Sequence, residues 1–371
     1  MNTAFQIIGS LGLFLFGMKM MSEGLQKLSG ERLRSIMRTM AGNRFKGVFS
    51  GCVITTVIQA SAATIIMVVG FVNAGLLTLR EGIGVIMGAT TTAWIIAALG
   101  FKFSIADIAL PMVGVGVAIA FCKRPGWRSA GELIVGIGLL LMGLDFLKSS
   151  VPELTPDSPA IAWLQEYSNM GFLSVLLFLA FGIVLTLMVQ SSSVAIAITI
   201  TMAAKGWIDF DLAAAVVLGE NMGTTVTANI AALTASLNAK RAAIAHLVFN
   251  VIGVIWMLFV FYWFLELIEF MVPITETPSP ETIKAMGITN FDALTGAARE
   301  AALERIVIPE RLAMFHTMFN FTNICLLIAF VPVIEKITCL ILKGGPDRKR
   351  RTSLQRIEYL TSNIAEMGEL A

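Results

Sequence analysis

Two short runs concentrate the polar chemistry of an otherwise apolar chain: Gln59-Ala60-Ser61-Ala62 followed by Thr64, and Gln190-Ser191-Ser192-Ser193. Serine and threonine hydroxyls both donate and accept, and a glutamine amide offers NH₂ groups together with a carbonyl oxygen. Placed where a helix begins, beside N–H groups that have no intrahelical partner, such residues form a neutral, donor-rich cup suited to a tetrahedral oxyanion. Ser61, Thr64, Gln190, Ser191, Ser192 and Ser193 are the candidate anion-binding residues. No Lys or Arg falls in either run. An uncharged cup holds a divalent anion weakly, and a membrane potential opposes its entry by about 2.3 kcal/mol per charge per 100 mV, hence roughly 4.6 for two charges. Cations entering with the anion reverse that sign.

Two further stretches offer oxygen ligands for a hard cation such as sodium. One is Gly88-Ala-Thr90-Thr91-Thr92; the other is Gly219-Glu-Asn-Met-Gly-Thr-Thr225, with Thr227 just beyond. The candidate sodium ligands are Thr90, Thr91, Asn221, Thr224, Thr225 and Thr227, with the amide oxygens of Gln59 and Gln190. Both stretches read as breaks in membrane helices, where freed carbonyls add to the ligand set. Glu220 is the single carboxylate deep in these motifs, and both cation neutralisation and helix capping are open to it. The alternative for the hydroxyl groups is interhelical hydrogen bonding. Trp94 reads as packing. The two histidines, His246 and His316, each open a His-x-x-Phe-Asn pattern ending at Asn250 and Asn320. That spacing sets His and Asn on one helix face, and it reads as an interhelical clamp rather than a pH-linked group.

The elements that position these residues are membrane helices. The chain is 56% hydrophobic and 14% charged, with mean hydropathy +0.81, more apolar surface than a water-soluble fold can hide. A net charge of +2 gives nucleic acid no footing, and the four cysteines show neither metal nor disulfide spacing. The 20 Met and 24 Phe read as packing or lipid-facing. Apolar runs cover about 4–22, 47–74, 82–100, 105–122, 130–148, 172–203, 212–233, 242–271 and 312–334. The first lacks a basic leader and a small-residue cleavage site, and reads as a retained helix. Basic residues crowd 23–46, 123–128, Lys240-Arg241 and 343–351, which the positive-inside rule places together in the cytoplasm. Three runs lie between the first two clusters, so one of them enters and leaves on the same side. The run 47–74 is too long for one crossing of a core about 30 Å thick and is broken at Gln59 to Thr64, as 172–203 is at Gln190 to Ser193. With two re-entrant hairpins, parity closes on about seven full spans, an external N-terminus and a cytoplasmic C-terminus. The segment 150–171, with Glu153, Asp157 and Glu166 and no base, then lies outside.

The hairpins belong to an internal repeat. Ile8–Met18 resembles Ile134–Leu144, with Gly12 and Gly17 facing Gly138 and Gly143 at an offset of 126. The Gln59 run faces the Gln190 run at 131, and Ala89–Leu99 faces Gly223–Leu233 at 134. The copies begin on opposite sides, so the fold class is an all-α polytopic, inverted-repeat membrane protein with two hairpins and two discontinuous helices. Its divisions are a first repeat 1–128, a second repeat 129–271, an extracytoplasmic loop 272–311, an additional transmembrane helix 312–342 and a basic cytoplasmic tail 343–371. In such folds substrate sits near the midplane between the copies.

With the paired hairpin motifs, the GENMGTT stretch and Lys240–Gly253 (KRAAIAHLVFNVIG), the chain resembles the bacterial branch of the type II sodium-phosphate cotransporter family. The resemblance runs over about 1–334. It implies sodium-driven phosphate transport in a bacterial inner membrane, with no catalysis and no cofactor beyond the coupling ion. Expected partners are phosphate, sodium and lipid, with a homodimer and a regulatory partner at the tail as further candidates. The first hairpin departs from the family's repeated Gln-Ser-Ser-Ser, which leaves sulfate or a phosphonate as alternative substrates and a non-transporting phosphate sensor as an alternative role.

Overall fold

A computed structural model describes residues 3–40, 43–58, 60–91, 106–151, 167–274, 277–286, 288 and 291–344, with the side chains of 26, 29–40, 106, 107 and 285 excluded. Gln59, Thr92, Trp94, the acidic residues Glu153, Asp157 and Glu166, and the tail from 345 lie outside the described residues. The described residues are helical with short 3₁₀ turns and no strand. The helices are α1 (Thr3–Met40), α2 (Arg44–Ile58), α3 (Ser61–Asn73), α4 (Leu79–Ala89), α5 (Ala106–Ala120), α6 (Pro125–Ser150), α7 (Phe172–Val189), α8 (Ser192–Ala204), α9 (Phe210–Ala231), α10 (Leu237–Met271), α11 (Pro280–Ala285), α12 (Gly296–Leu327) and α13 (Val331–Ile341). Long apolar helices suited to crossing a bilayer are Thr3–Leu25 of α1, α6, α7, α10 and the stretch Gly296–Ile341. The chain is a multi-pass, all-α membrane protein. Of the expected crossing 82–100, the described part ends at Thr91.

Helix directions follow from where backbones touch. Between membrane helices apolar burial gives little drive, and close backbone approach at small residues replaces it. A Cβ at Gly24 would meet Leu133 and the Ser129 carbonyl, one at Gly17 would meet Leu140 and Gly136, and one at Gly143 would meet Phe14. Rising numbers on α1 meet falling numbers on α6, so the two helices are antiparallel. The pairs Phe14/Gly143 and Gly17/Leu140 exchange under the 126-residue offset. A local twofold axis therefore relates the opening helices of the two copies, as inversion requires.

In the first copy, a Cβ at Gly47 would meet Gly84 and Val85, one at Gly51 would meet Val85 and Ala89, and one at Gly88 would meet Val48 and Cys52. Here the numbers rise together, so α2 and α4 are parallel and the chain has returned between them through α3. The second copy repeats this: Gly182 meets Val216, Gly219 meets Leu179 and Ile183, and Gly223 meets Thr186, making α7 and α9 parallel with α8 as the return. Each broken run is thus a hairpin. Gly51 pairs with Gly182 and Gly88 with Gly219, both at offset 131.

Two expectations need correction. The stretch Gly219 to Thr225 is no break, since α9 runs uninterrupted from Phe210 to Ala231. Its glycines admit α7, and the hydroxyls of Thr224 and Thr225 donate to the carbonyls of Asn221 and Met222 within the same helix. In the first copy the helix does stop, at Ala89, followed by Thr90 and Thr91. The helix expected to start at 312 begins at Gly296, because the Ala-, Glu- and Arg-rich stretch before it is a strong helix former although too charged to read as a span. A 3₁₀ turn at Ile328–Phe330 then divides it from α13.

Charged groups gather by end. Lys27 and Arg128 pair with Glu132 at 2.7 and 3.3 Å, joining α1 to α6. Arg80 pairs with Glu335 at 2.6 Å, Arg44 donates to the Ala329 carbonyl at 3.2 Å and Arg241 donates to the Leu342 carbonyl at 2.9 Å. The 3₁₀ turn before α13, its middle and the residue after it are therefore held by bases near the starts of α2, α4 and α10.

Candidate functional site

The site is assembled from the two hairpin tips. α7 ends at Val189, and Gln190 turns the chain in the left-handed region at φ 56°, the one non-glycine residue with positive φ among the described residues. Holding a side chain there costs about 1–2 kcal/mol, and its N–H is fixed to the Thr186 carbonyl at 2.7 Å. Ser191 follows in extended geometry as the N-cap of α8, its hydroxyl accepting from the Val194 N–H at 3.5 Å. Gln190 is exposed, Ser191 and Ser193 are half-buried and Ser192 is buried. In the first hairpin Ala60 takes the N-cap position of α3 and supplies no side-chain cap.

The tips touch. Ser61 Oγ and Ser192 Oγ lie 3.3 Å apart. The two serines are equivalent under the 131-residue offset, so their contact falls where the two copies meet as mirror roles. Each serine is the first residue of its helix. Two helix N-termini, one from each inverted copy, therefore converge on one point with their positive dipole ends.

Around the tips the copies diverge. Thr55 Oγ1 donates to Thr64 Oγ1 at 3.0 Å across the arms of the first hairpin, and Thr64 reaches the Ala60 carbonyl at 3.3 Å. Thr64 is thereby committed within its own hairpin. The equivalents in the second hairpin are Thr186 and Ala195, and the buried Thr186 hydroxyl has no hydrogen-bond partner. Thr55 and Thr186 were not among the sequence candidates, although the offset that aligns the tips also aligns them.

The expected cation ligands lie on α4 and α9. Thr90 and Thr91 donate to the Met87 and Gly88 carbonyls at 2.9 and 2.5 Å, and Thr227 to that of Thr224 at 2.7 Å. These donors are occupied by their own backbone while the oxygen lone pairs stay available. Gly223 packs on Thr186, one turn ahead of Gln190, which sets Thr224 and its neighbours beside the second tip. Asn221 is drawn elsewhere: its Oδ1 lies 3.3 Å from His316 Nε2, which is also 3.2 Å from Asn320 Nδ2. A protonated Nε2 donates to Asn221; a bare one accepts from Asn320. Only the protonated form joins α12 to α9, the clamp expected of His316; with Nε2 bare the bond stays within α12. His246 is different, since both of its buried ring nitrogens lack a partner. Replacing His316 by Ala strands the Asn221 amide in the interior and should lower stability by about 1–3 kcal/mol, read as a lower melting temperature in detergent.

Glu220, fully buried, accepts from Thr199 Oγ1 at 2.6 Å through Oε1. Its Oε2 has no partner.

The family model described as Na+/Pi-cotransporter matches residues 13–149 and 162–270. The chain belongs to this Na+/Pi-cotransporter family. Both segments hold a complete hairpin, so the family match covers both halves of the Ser61–Ser192 contact. Among the relatives, an uncharacterized protein of Bacillus subtilis, YqeW, is 29% identical over 65% of this chain and 77% of its own length. YjbB of Escherichia coli (strain K12), provisionally named for inorganic phosphate export, is 26% identical over 68% of this chain and 46% of its own. The human sodium-dependent phosphate transport protein 2C is 34% identical over 34% of this chain and 22% of its own. The chain thus spans about three quarters of the first relative and under half of the second. No solved structure gives a significant match.

Proposed function

We propose that this Na+/Pi-cotransporter family member carries inorganic phosphate across the membrane, coupled to sodium, by alternating access of two inverted copies. The observation that carries this reading is the Ser61–Ser192 contact at 3.3 Å between the N-termini of α3 and α8. Converging helix N-termini with hydroxyls and no base match a phosphate that must be released again: hydrogen bonds hold it, and no fixed cation traps it. In this reading Ser61, Gln190, Ser191, Ser192 and Ser193 touch the anion, and Thr64 keeps the first hairpin closed. Thr90, Thr91, Thr224, Thr225 and Thr227 offer lone pairs to sodium, as do the amide oxygens of Gln59 and Gln190. Asn221 takes part only when it leaves His316. The basic end around α13 faces the cytoplasm, as the positive-inside rule asks.

Inversion makes alternating access natural, because the same sequence pattern seen from the other side is the other conformation. Radiolabelled phosphate in proteoliposomes tests the whole reading. An inward sodium gradient should drive accumulation above the equilibrium level, and replacing sodium by choline should abolish it. Accumulation that ignores sodium would refute the coupling; none under any gradient would refute transport. The name of the Escherichia coli relative raises export as the cellular direction, and in vesicles reversing the sodium gradient should reverse the flux.

A further inference from the structure

The sodium ligands named so far are neutral. One charged oxygen in the same region is unexplained: Glu220 is 0% exposed, bonded through one oxygen to Thr199, with the other oxygen unpartnered. No base pairs with it among the described residues. Of the helices packed on α9, α3, α7 and α8 contain no Lys, Arg or His. α12 presents His316, which is engaged with Asn221 and Asn320, and Arg311, which lies over Phe210 at the first residue of α9 and pairs with Glu269. α10 presents His246, which the bond from Asn229 Nδ2 to the Ala243 carbonyl sets nearer to the C-terminal end of α9. A carboxylate buried in a membrane without a counter-charge is a poor structural element.

The repeat supplies a control on what the fold itself requires. In the 131-residue register fixed by Gly51/Gly182, Ser61/Ser192 and Gly88/Gly219, Thr199 corresponds to Val68 and Glu220 to Ala89. Val68 and Ala89 are both 0% exposed. The first copy therefore buries apolar residues at both equivalent positions, in α3 and α4. The polar pair in the second copy is not needed for packing, and it brings an ionisable carboxyl to the helix that presents Thr224 and Thr225.

We infer that Glu220 is a carboxylate ligand of one coupling sodium ion, held between α8 and α9 with the Thr199 hydroxyl as a second oxygen. The Thr199 proton is committed to Oε1, which turns the hydroxyl lone pairs outward and leaves Oε2 for the ion. The site exists in the second copy alone, so the two copies differ in how they hold cations. The ion also compensates part of the phosphate charge from outside the tip, leaving the tip free of fixed cations.

This inference rests on the sodium-coupled reading, and one experiment separates the two. In proteoliposomes of the wild-type protein and Glu220→Gln, the sodium concentration for half-maximal phosphate uptake is measured, together with melting temperature in sodium chloride against choline chloride. Glu220→Gln should need at least ten-fold more sodium and should lose the sodium-dependent rise in melting temperature, while melting in choline as high as the wild type. An unchanged sodium requirement in a sodium-dependent wild type overturns the Glu220 assignment and leaves the transport reading standing. A wild type indifferent to sodium overturns both. Loss of proton-driven uptake in Glu220→Gln, with sodium activation intact, assigns Glu220 to a proton and overturns the sodium site. Thr199→Val with Glu220→Ala, the pair the first copy already buries, should fold and show the same sodium defect. If neither variant folds, the pair is structural and the inference falls.

Discussion

Ser192→Ala and Gln190→Ala should each abolish phosphate accumulation in proteoliposomes while the purified proteins keep the wild-type elution profile and melting temperature within a few degrees. Ser192 sits at the point where the two copies touch, its Oγ 3.3 Å from Ser61 Oγ, and it opens α8. Its hydroxyl can reach an anion that both helix ends face. A hydrogen bond to a charged group contributes about 1.5–3 kcal/mol, so losing it weakens binding roughly 10- to 150-fold. Little folding energy goes with it, since the partner hydroxyl of Ser61 can turn to its own backbone. Gln190 acts differently. It holds the left-handed turn at φ 56° with its side chain exposed, so the alanine variant keeps the strain and loses only the amide. Gln190→Gly separates the two roles: it relieves the turn and should melt higher, yet be as inactive as Gln190→Ala. Ser61→Ala should cost less than Ser192→Ala, because α3 already lacks a side-chain cap at Ala60. Unchanged uptake in both second-hairpin variants would remove the anion from this tip.

The hairpins were legible because a polar break in an apolar run has few physical excuses at membrane depth, and the odd count of runs between basic clusters demanded a reversal. The same logic misread Gly219 to Thr225. Glycines beside polar residues look like a chain break, yet these glycines let α7 approach, and the threonines return their protons to their own helix. A one-dimensional pattern cannot tell a glycine that bends a helix from one that admits a neighbour. Register shows a related limit. The Ala89–Leu99 match at offset 134 lies almost entirely beyond Thr91, while the glycine contacts run at 131 through Gly88 and Gly219. Only the latter register pairs Val68 with Thr199 and Thr55 with Thr186. The difference between those threonines needs the contact across the hairpin arms, since the Thr64 hydroxyl that Ala195 lacks decides whether a partner four residues before the tip is satisfied.

One substitution made at two glycines should give opposite signs. Gly219→Ala places a methyl against the Leu179 carbonyl and the Ile183 amide. Both are backbone atoms of α7, so no side chain can swing aside and the helices must separate. Overpacking that moves backbone costs about 1–3 kcal/mol and occasionally more, and it opens the α7–α9 seam that holds the second tip in place. The expected result is a large fall in melting temperature and loss of uptake together. Gly12→Ala, in α1, meets nothing within 4 Å. There the methyl only lowers the entropy of the unfolded chain, worth about 1 kcal/mol in favour of folding, so the melting temperature should rise and uptake should be kept. Gly88→Ala should behave as Gly219→Ala does, because its Cβ would meet the Val48 carbonyl and the Cys52 amide of α2. Melting curves of the three variants in detergent decide the matter. If Gly219→Ala and Gly12→Ala are equally tolerated, α7 and α9 do not cross at their backbones, and the parallel pairing that makes 172–203 a hairpin loses its support.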